Sequence, residues 1–161
     1  MKFRGLKELL ARHPVSAIMS IPESLQTVVD RFGRAPRDLR VQALLQYSKR
    51  VKPLPEEFAD RSALEQVHEC QTPFFLAARV GDDDIVHVFF DAPEEAPTVR
   101  GFAGILTEGL EGATSAEVLG VPQDFYTTMG LDTVVSPLRL RGMGAILGRL
   151  QRQVREQVEG D

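Results

Sequence analysis

Apolar residues first recur at helical spacing after residue 20. Leu25, Val28, Val29 and Phe32 make one stripe, opened by Ile21-Pro22-Glu23-Ser24 and closed by Gly33. Pro36 begins a second helical stretch, with Leu39, Leu44 and Tyr47 expected on one face and Arg37, Arg40 and Gln46 away from it. Pro53-Leu54-Pro55 then imposes extended backbone, because a proline disfavours helix in the residue before it. Leu54 and Phe58 are the apolar pins of that connector. Two β-rich runs follow, Phe74 to Val80 and Ile85 to Phe90, separated by Gly81-Asp82-Asp83-Asp84. That arrangement reads as an antiparallel hairpin with a solvated tip. The aspartates do not read as a calcium loop, since the other spaced ligands and a terminal Glu are missing.

The second half of the chain is helical. Thr98 to Leu110 is apolar on nearly every side, and Gly101 and Gly104 are expected to permit close packing against the sheet. Short pieces at Ser115–Leu119 and Gln123–Met129 are split by Gly120 and Pro122. Ser136-Pro137 supplies an N-cap and a first-turn proline for a last helix. Met143, Ile146, Leu147, Leu150 and Val154 form its apolar stripe, with Arg149, Arg152 and Arg155 mainly off it. The order of elements predicts an α+β fold, a small antiparallel β-sheet with helices packed on one face. Residues 1–20 read as a variable leading segment and 21–161 as a single domain. The leading segment carries Lys2, Arg4, Lys7 and Arg12 but no uninterrupted apolar stretch, so a secretory signal is not expected.

The length of 161 residues suits one core, and 43% hydrophobic residues can fill it without metal or disulfide staples. A net charge of -4 gives no general attraction to nucleic acid or anionic membrane. A single cysteine excludes an internal disulfide and fits a reducing compartment, so a cytoplasmic location is expected. One Cys and three His do not supply a zinc site without help from carboxylates. Gly101-Phe102-Ala103-Gly104 lacks a Walker lysine, and no G-x-S-x-G elbow is present. The remaining nucleophile is Cys70, in His68-Glu69-Cys70-Gln71-Thr72-Pro73, at a junction between loop and strand. A Cys-His thiol enzyme stays open at this point, as does an inert buried cysteine.

Three segments together resemble the SufE-type sulfur acceptors, over roughly Pro22 to Val158. Leu54-Pro55 running into Val67-His68-Glu69-Cys70-Gln71-Thr72 is similar to the family's V-x-G-C-Q-S. Asp91 followed by Val99-Arg100-Gly101 is similar to G-D-S…I-V-x-G. Phe125…Met129-Gly130-Leu131 leading to Ser136-Pro137-Leu138-Arg139-Leu140-Arg141-Gly142-Met143 is similar to (S/T)-P-S-R-x-x-G-L. The chain departs from the pattern at Glu69, where the family has glycine, at Thr72 and Leu138 for serine, and at Phe75 for tryptophan.

The resemblance implies the SufE/NifU-like fold, with Cys70 as the sulfur-accepting cysteine and Arg139 beside the thiol. Glu69, Gln71 and Asp91 would lie on the partner-binding surface. The implied partner is a pyridoxal-phosphate cysteine desulfurase, which the protein would stimulate rather than act as a stand-alone enzyme. An iron–sulfur scaffold would receive the sulfur. The protein itself would carry no cofactor or metal, and would be a monomer or weak homodimer. Arg139, in the first turn after the Ser136 cap, is expected to favour the thiolate together with the helix dipole. Phe74 and Phe75 are candidates for the wall of a pocket that hides a persulfide. A non-catalytic adaptor of the same fold is the alternative, prompted by Glu69.

Overall fold

The computed structural model of the chain describes residues 21–160. The leading segment and His13 lie outside the described residues. Helices α1 (Glu23–Arg34) and α2 (Arg37–Ser48) come first, then a 3-10 turn at Glu56–Phe58 in the proline connector. Strands β1 (Glu65–Gln66), β2 (Phe75–Val80) and β3 (Val86–Asp91) follow, then α3 (Pro97–Leu110) and α4 (Ser115–Leu119). Two 3-10 turns, Phe125–Thr128 and Leu131–Thr133, lead into the long α5 (Pro137–Glu159).

The sheet is antiparallel with strand order β1-β2-β3, and its hairpin pairs Phe75 with Asp91 through Val80 with Val86. Alternation along each strand decides what is buried. Leu76, Ala78, Val86, Val88 and Phe90 face the core, all below a tenth exposed. On that face lie α3 and α5. The opposite face carries Phe75, Phe89 and His87, partly covered by Phe58 stacked on Phe89 at 5.0 Å. Phe58 does pin the connector, but to the outer sheet face rather than to the core, and Leu54 is only half-buried.

The last helix forms as expected: the Ser136 hydroxyl accepts from the Arg139 N–H, and Pro137 occupies the first turn. Met143, Ile146, Leu147, Leu150 and Val154 are all fully buried. Removing each such side chain from water is worth about 1.5–3 kcal/mol. Polar side chains of α5 also complete the sheet. Beyond the two residues of β1, the outer edge of β2 has no strand beside it among the described residues. Gln153 Oε1 accepts from the Ala78 N–H, Gln157 Oε1 accepts from the Val80 N–H, and Gln157 Nε2 donates to the Ala78 carbonyl, each at 2.8 Å.

Three sequence expectations need correction. Gly33 does not end α1, which runs on to Arg34. A Cβ at Gly33 would meet the Thr128 carbonyl at 2.8 Å, so the glycine serves a contact rather than a stop. Leu39 is not on the buried face of α2; it is 49% exposed, with Val41 and Leu45 also outward, while Leu44 and Tyr47 are buried. Gly101 and Gly104 do pack closely, but against α2 and not the sheet. A Cβ at Gly104 would lie 1.7 Å from the Tyr47 carbonyl oxygen, and one at Gly101 would lie 2.8 Å from that of Leu44.

Candidate functional site

Cys70 lies on the loop between β1 and β2. The loop is closed at its base, where the Val67 N–H donates to the Phe74 carbonyl at 2.8 Å. Val67 and Phe74 are both fully buried, so the two ends of the loop are anchored in the core. Between them the Cys70 N–H donates to the Val67 carbonyl at 3.2 Å, a turn that folds the cysteine inward. Cys70 is 8% exposed. It rests on the second turn of α5: a Cβ on Gly142 would stand 3.4 Å from Sγ.

The sulfur opens onto a cavity of about 330 Å³. One wall is the start of α3, with Pro97, Thr98, Val99 and Phe102. The other is the start of α5, with Leu138, Arg139 and Gly142. Glu69, Gln71 and Thr72 form the lip, with Glu95 and Ala96 completing it. Thr72 Oγ1 is buried there without a hydrogen-bond partner among the described residues. Among the described residues the lining contains no histidine. Among the described residues no group of three or more His, Cys, Asp or Glu side chains is placed to hold a metal.

Burial pushes the Cys70 thiol up from 9.0 to about 11, the Glu69 carboxylate adds to the rise, and the Arg149 guanidinium opposes it. The resting sulfur is therefore a protonated thiol in neutral solution. Arg149 is held by two carboxylates, with Nη1 2.8 Å from Glu65 and Nη2 2.7 Å from Glu69. The hydrogen bond from Arg149 holds the Glu69 carboxyl below its ordinary range. Burial works against the charge of Glu65, but hydrogen bonds from Gln153, Arg149 and Arg152 outweigh it and keep that carboxyl low as well.

Of the residues singled out in the sequence, Cys70, Arg139, Glu69 and Gln71 line the one cavity. Asp91 does not; it ends β3 and pairs with Arg61 of the connector. The aromatic expectation is corrected. Phe74 is core, packed on Phe90 at 5.8 Å, and Phe75 lies on the outer sheet face with Arg61 over its ring at 4.7 Å. Neither lines the cavity, whose apolar walls come from Val99, Phe102 and Leu138. The thiol also lies beside the sixth residue of α5, past the first turn where the helix dipole acts strongly. Arg149 was missed because it sits off the apolar stripe. Its spacing of seven residues from Gly142, two helical turns, puts it on the face that meets the cysteine loop.

A family model, the SufE Fe-S metabolism associated domain, matches residues 26–154. An uncharacterized SufE-like protein of Mycobacterium tuberculosis is 44% identical over 142 residues, 88% of this chain and 99% of that one. The sulfur acceptor protein CsdE of Escherichia coli is 26% identical over 108 residues, 66% of this chain and 71% of that one. The solution structure of a hypothetical protein from Thermus thermophilus superposes with a TM-score of 0.79 at 46% identity, covering 88% of this chain and all of the other. With the motif cysteine, the cavity and these likenesses together, the chain belongs to the SufE family.

Proposed function

We propose that this protein is a sulfur carrier: Cys70 accepts sulfur from the persulfide of a cysteine desulfurase, and the sulfur passes on to a scaffold of iron–sulfur cluster assembly. The observation that carries the reading is the seating of the lone cysteine, 8% exposed, on a cavity of about 330 Å³ beside Arg139. The E. coli relative is a protein named as a sulfur acceptor, which supports the same chemistry here.

The exchange conserves electrons. Cys70 thiolate attacks the outer sulfur of the donor's Cys–S–S group, a new S–S bond forms on Sγ, and the donor's S–S bond breaks to release its cysteine thiolate. The proton of the resting Cys70 thiol moves to the donor's thiolate or to solvent, and no external oxidant is needed. The raised pKa has a use in this scheme. Recessed at its cavity as a protonated thiol, the sulfur is poorly nucleophilic, so stray electrophiles and disulfides find little thiolate. Once loaded, the persulfide is shielded by Val99, Phe102 and Leu138, and Arg139 supplies a cation for the anionic outer sulfur. A Cys-His thiol enzyme is disfavoured by a cavity lining without histidine among the described residues. His68 is exposed, and His87 bonds Glu111 at 2.5 Å.

No helix of the described residues is long and apolar enough to cross a membrane, and we place the carrier in the cytoplasm. The test is intact mass spectrometry after incubation with a cysteine desulfurase and free cysteine. The expected product is the chain plus one sulfur, absent in Cys70→Ser. An unmodified wild-type chain after full turnover with its cognate desulfurase refutes the carrier reading.

A further inference from the structure

The residues from β1 through the cysteine loop are tied to α5 at two points by a single side chain. Arg149 bonds Glu65 in the strand stem and Glu69 at the loop tip, next to Cys70. The stem has other ties: Glu65 also bonds Arg152 and Gln153, β1 pairs with β2, and Val67 bonds Phe74. At the tip the backbone makes one turn, from the Cys70 N–H to the Val67 carbonyl, and Cys70 itself is buried, but side-chain ties are few. The side chain of Glu69 bonds no described residue besides Arg149 and its own backbone, Gln71 is exposed, and the hydroxyl of Thr72 is buried without a partner among the described residues. Arg149 is the less exposed partner: its side chain is 26% exposed, and its Nε is buried without a hydrogen-bond partner among the described residues. Glu69, by contrast, is 51% exposed and free to leave.

We propose that Arg149 is a positioning residue for the sulfur-accepting thiol, helping to seat Cys70 in its cavity through the bridge to Glu69, so that this ionic contact adds to the turn at Cys70 a restraint that a sulfur donor has to displace. The inference rests on the reading of Cys70 as the accepting cysteine. It concerns Arg149 and Glu69 rather than the motif residues. The stem stays paired when the bridge breaks, because its hydrogen bonds are backbone or belong to Arg152 and Gln153. Opening is therefore local, confined to residues between Val67 and Phe74.

The test needs no desulfurase, which separates its failure from failure of the carrier reading. Amide hydrogen exchange over residues 67–74 is expected to quicken about threefold in Glu69→Gln and in Arg149→Gln, the scale of one partly exposed ion pair. The double variant is expected to go no further than either single, and Arg149→Lys to recover part of the protection. Added salt is expected to quicken exchange in the wild type but not in the variants. Glu69→Gln is expected to leave the melting temperature unchanged, which a merely structural role for the pair would not do. Alkylation gives a second readout. Arg149→Gln removes the cation that favours the thiolate, so electrostatics alone would slow the reaction of Cys70 with iodoacetamide; release of the loop speeds it. Unchanged exchange in Glu69→Gln, additive single effects, or slower alkylation in Arg149→Gln overturns the proposal.

Discussion

Replacing Gly142 by alanine separates what stabilises this fold from what its thiol needs. Gly142 is buried in α5, where glycine costs about 0.8–1 kcal/mol relative to alanine. The added methyl finds two neighbours within 4 Å, Cys70 Sγ at 3.4 Å and the Glu69 carbonyl oxygen at 3.9 Å, both ordinary contacts. The resting protein therefore accepts the methyl. Gly142→Ala is expected to raise stability by about 0.5–1 kcal/mol, or roughly 2–4 °C in Tm per kcal/mol for a chain of this size. The loaded state differs. A persulfide adds a sulfur about 2.05 Å from Sγ, and the methyl occupies part of the space beside that atom. The variant is expected to melt higher while accepting less sulfur and losing it faster to reductant. Thermal unfolding gives the first quantity, and the decay of the sulfur-loaded mass peak under dithiothreitol gives the second. Wild-type yield and lifetime of the persulfide in a stabilised Gly142→Ala protein would refute the claim that this glycine reserves room for sulfur.

The thiol itself sets a pH dependence. The native state keeps its proton to about pH 11, whereas the unfolded chain releases it near the ordinary value of 9.0. Between those values the native state holds more protons, so stability falls as pH rises through the window, by at most about 2.7 kcal/mol. Urea midpoints at about pH 8 and about pH 10.5 should diverge more for the wild type than for Cys70→Ala. Arg139→Ala is expected to slow sulfur uptake about tenfold or more, as loss of one charge-assisted contact would. It should leave the Tm and the pH midpoint of alkylation in place, since Arg149 is the cation felt by the resting thiol. A shifted midpoint, read from iodoacetamide rates against pH, would return that role to Arg139. Gly104→Ala drives a Cβ to 1.7 Å from the Tyr47 carbonyl and is expected to cost about 3 kcal/mol or more, visible as loss of the cooperative urea transition.

The hairpin, the buried helix and the capped last helix were legible because each rests on local rules: alternation, a Gly/Asp turn, and Ser-Pro at a helix start. The two-residue β1 was not, since Glu65-Gln66 has no strand character and pairs only because Val67 anchors the segment in the core. Leu39 was misplaced because α2 carries apolar residues on both faces, and only the approach of α3 through Gly101 and Gly104 decides which face is buried. At the site, Cys70 and the Gly142 segment are motif residues and readable as such. Phe74 and Phe75 were misassigned because adjacency in sequence puts neighbours on opposite faces of a strand, not around one pocket. Arg149 escaped because its meaning lies in two carboxylates 80 and 84 positions away.

The three bonds from Gln153 and Gln157 to the β2 edge have a bearing on how the chain folds. They join residues 75, 77 and 79 positions apart in the sequence. The hairpin of β2 and β3 can close early from local contacts. Its outer edge, with open N–H and C=O groups at Ala78 and Val80, stays bare until the second half of α5 docks. Closing so long a segment is slow, and a bare edge invites pairing with another chain in the interval. The connectivity predicts an order of events: the hairpin closes before the amide side chains of α5 seal its edge. Replacing the two glutamines would then do more harm to the refolding yield at high protein concentration than to the stability of the molecules that succeed.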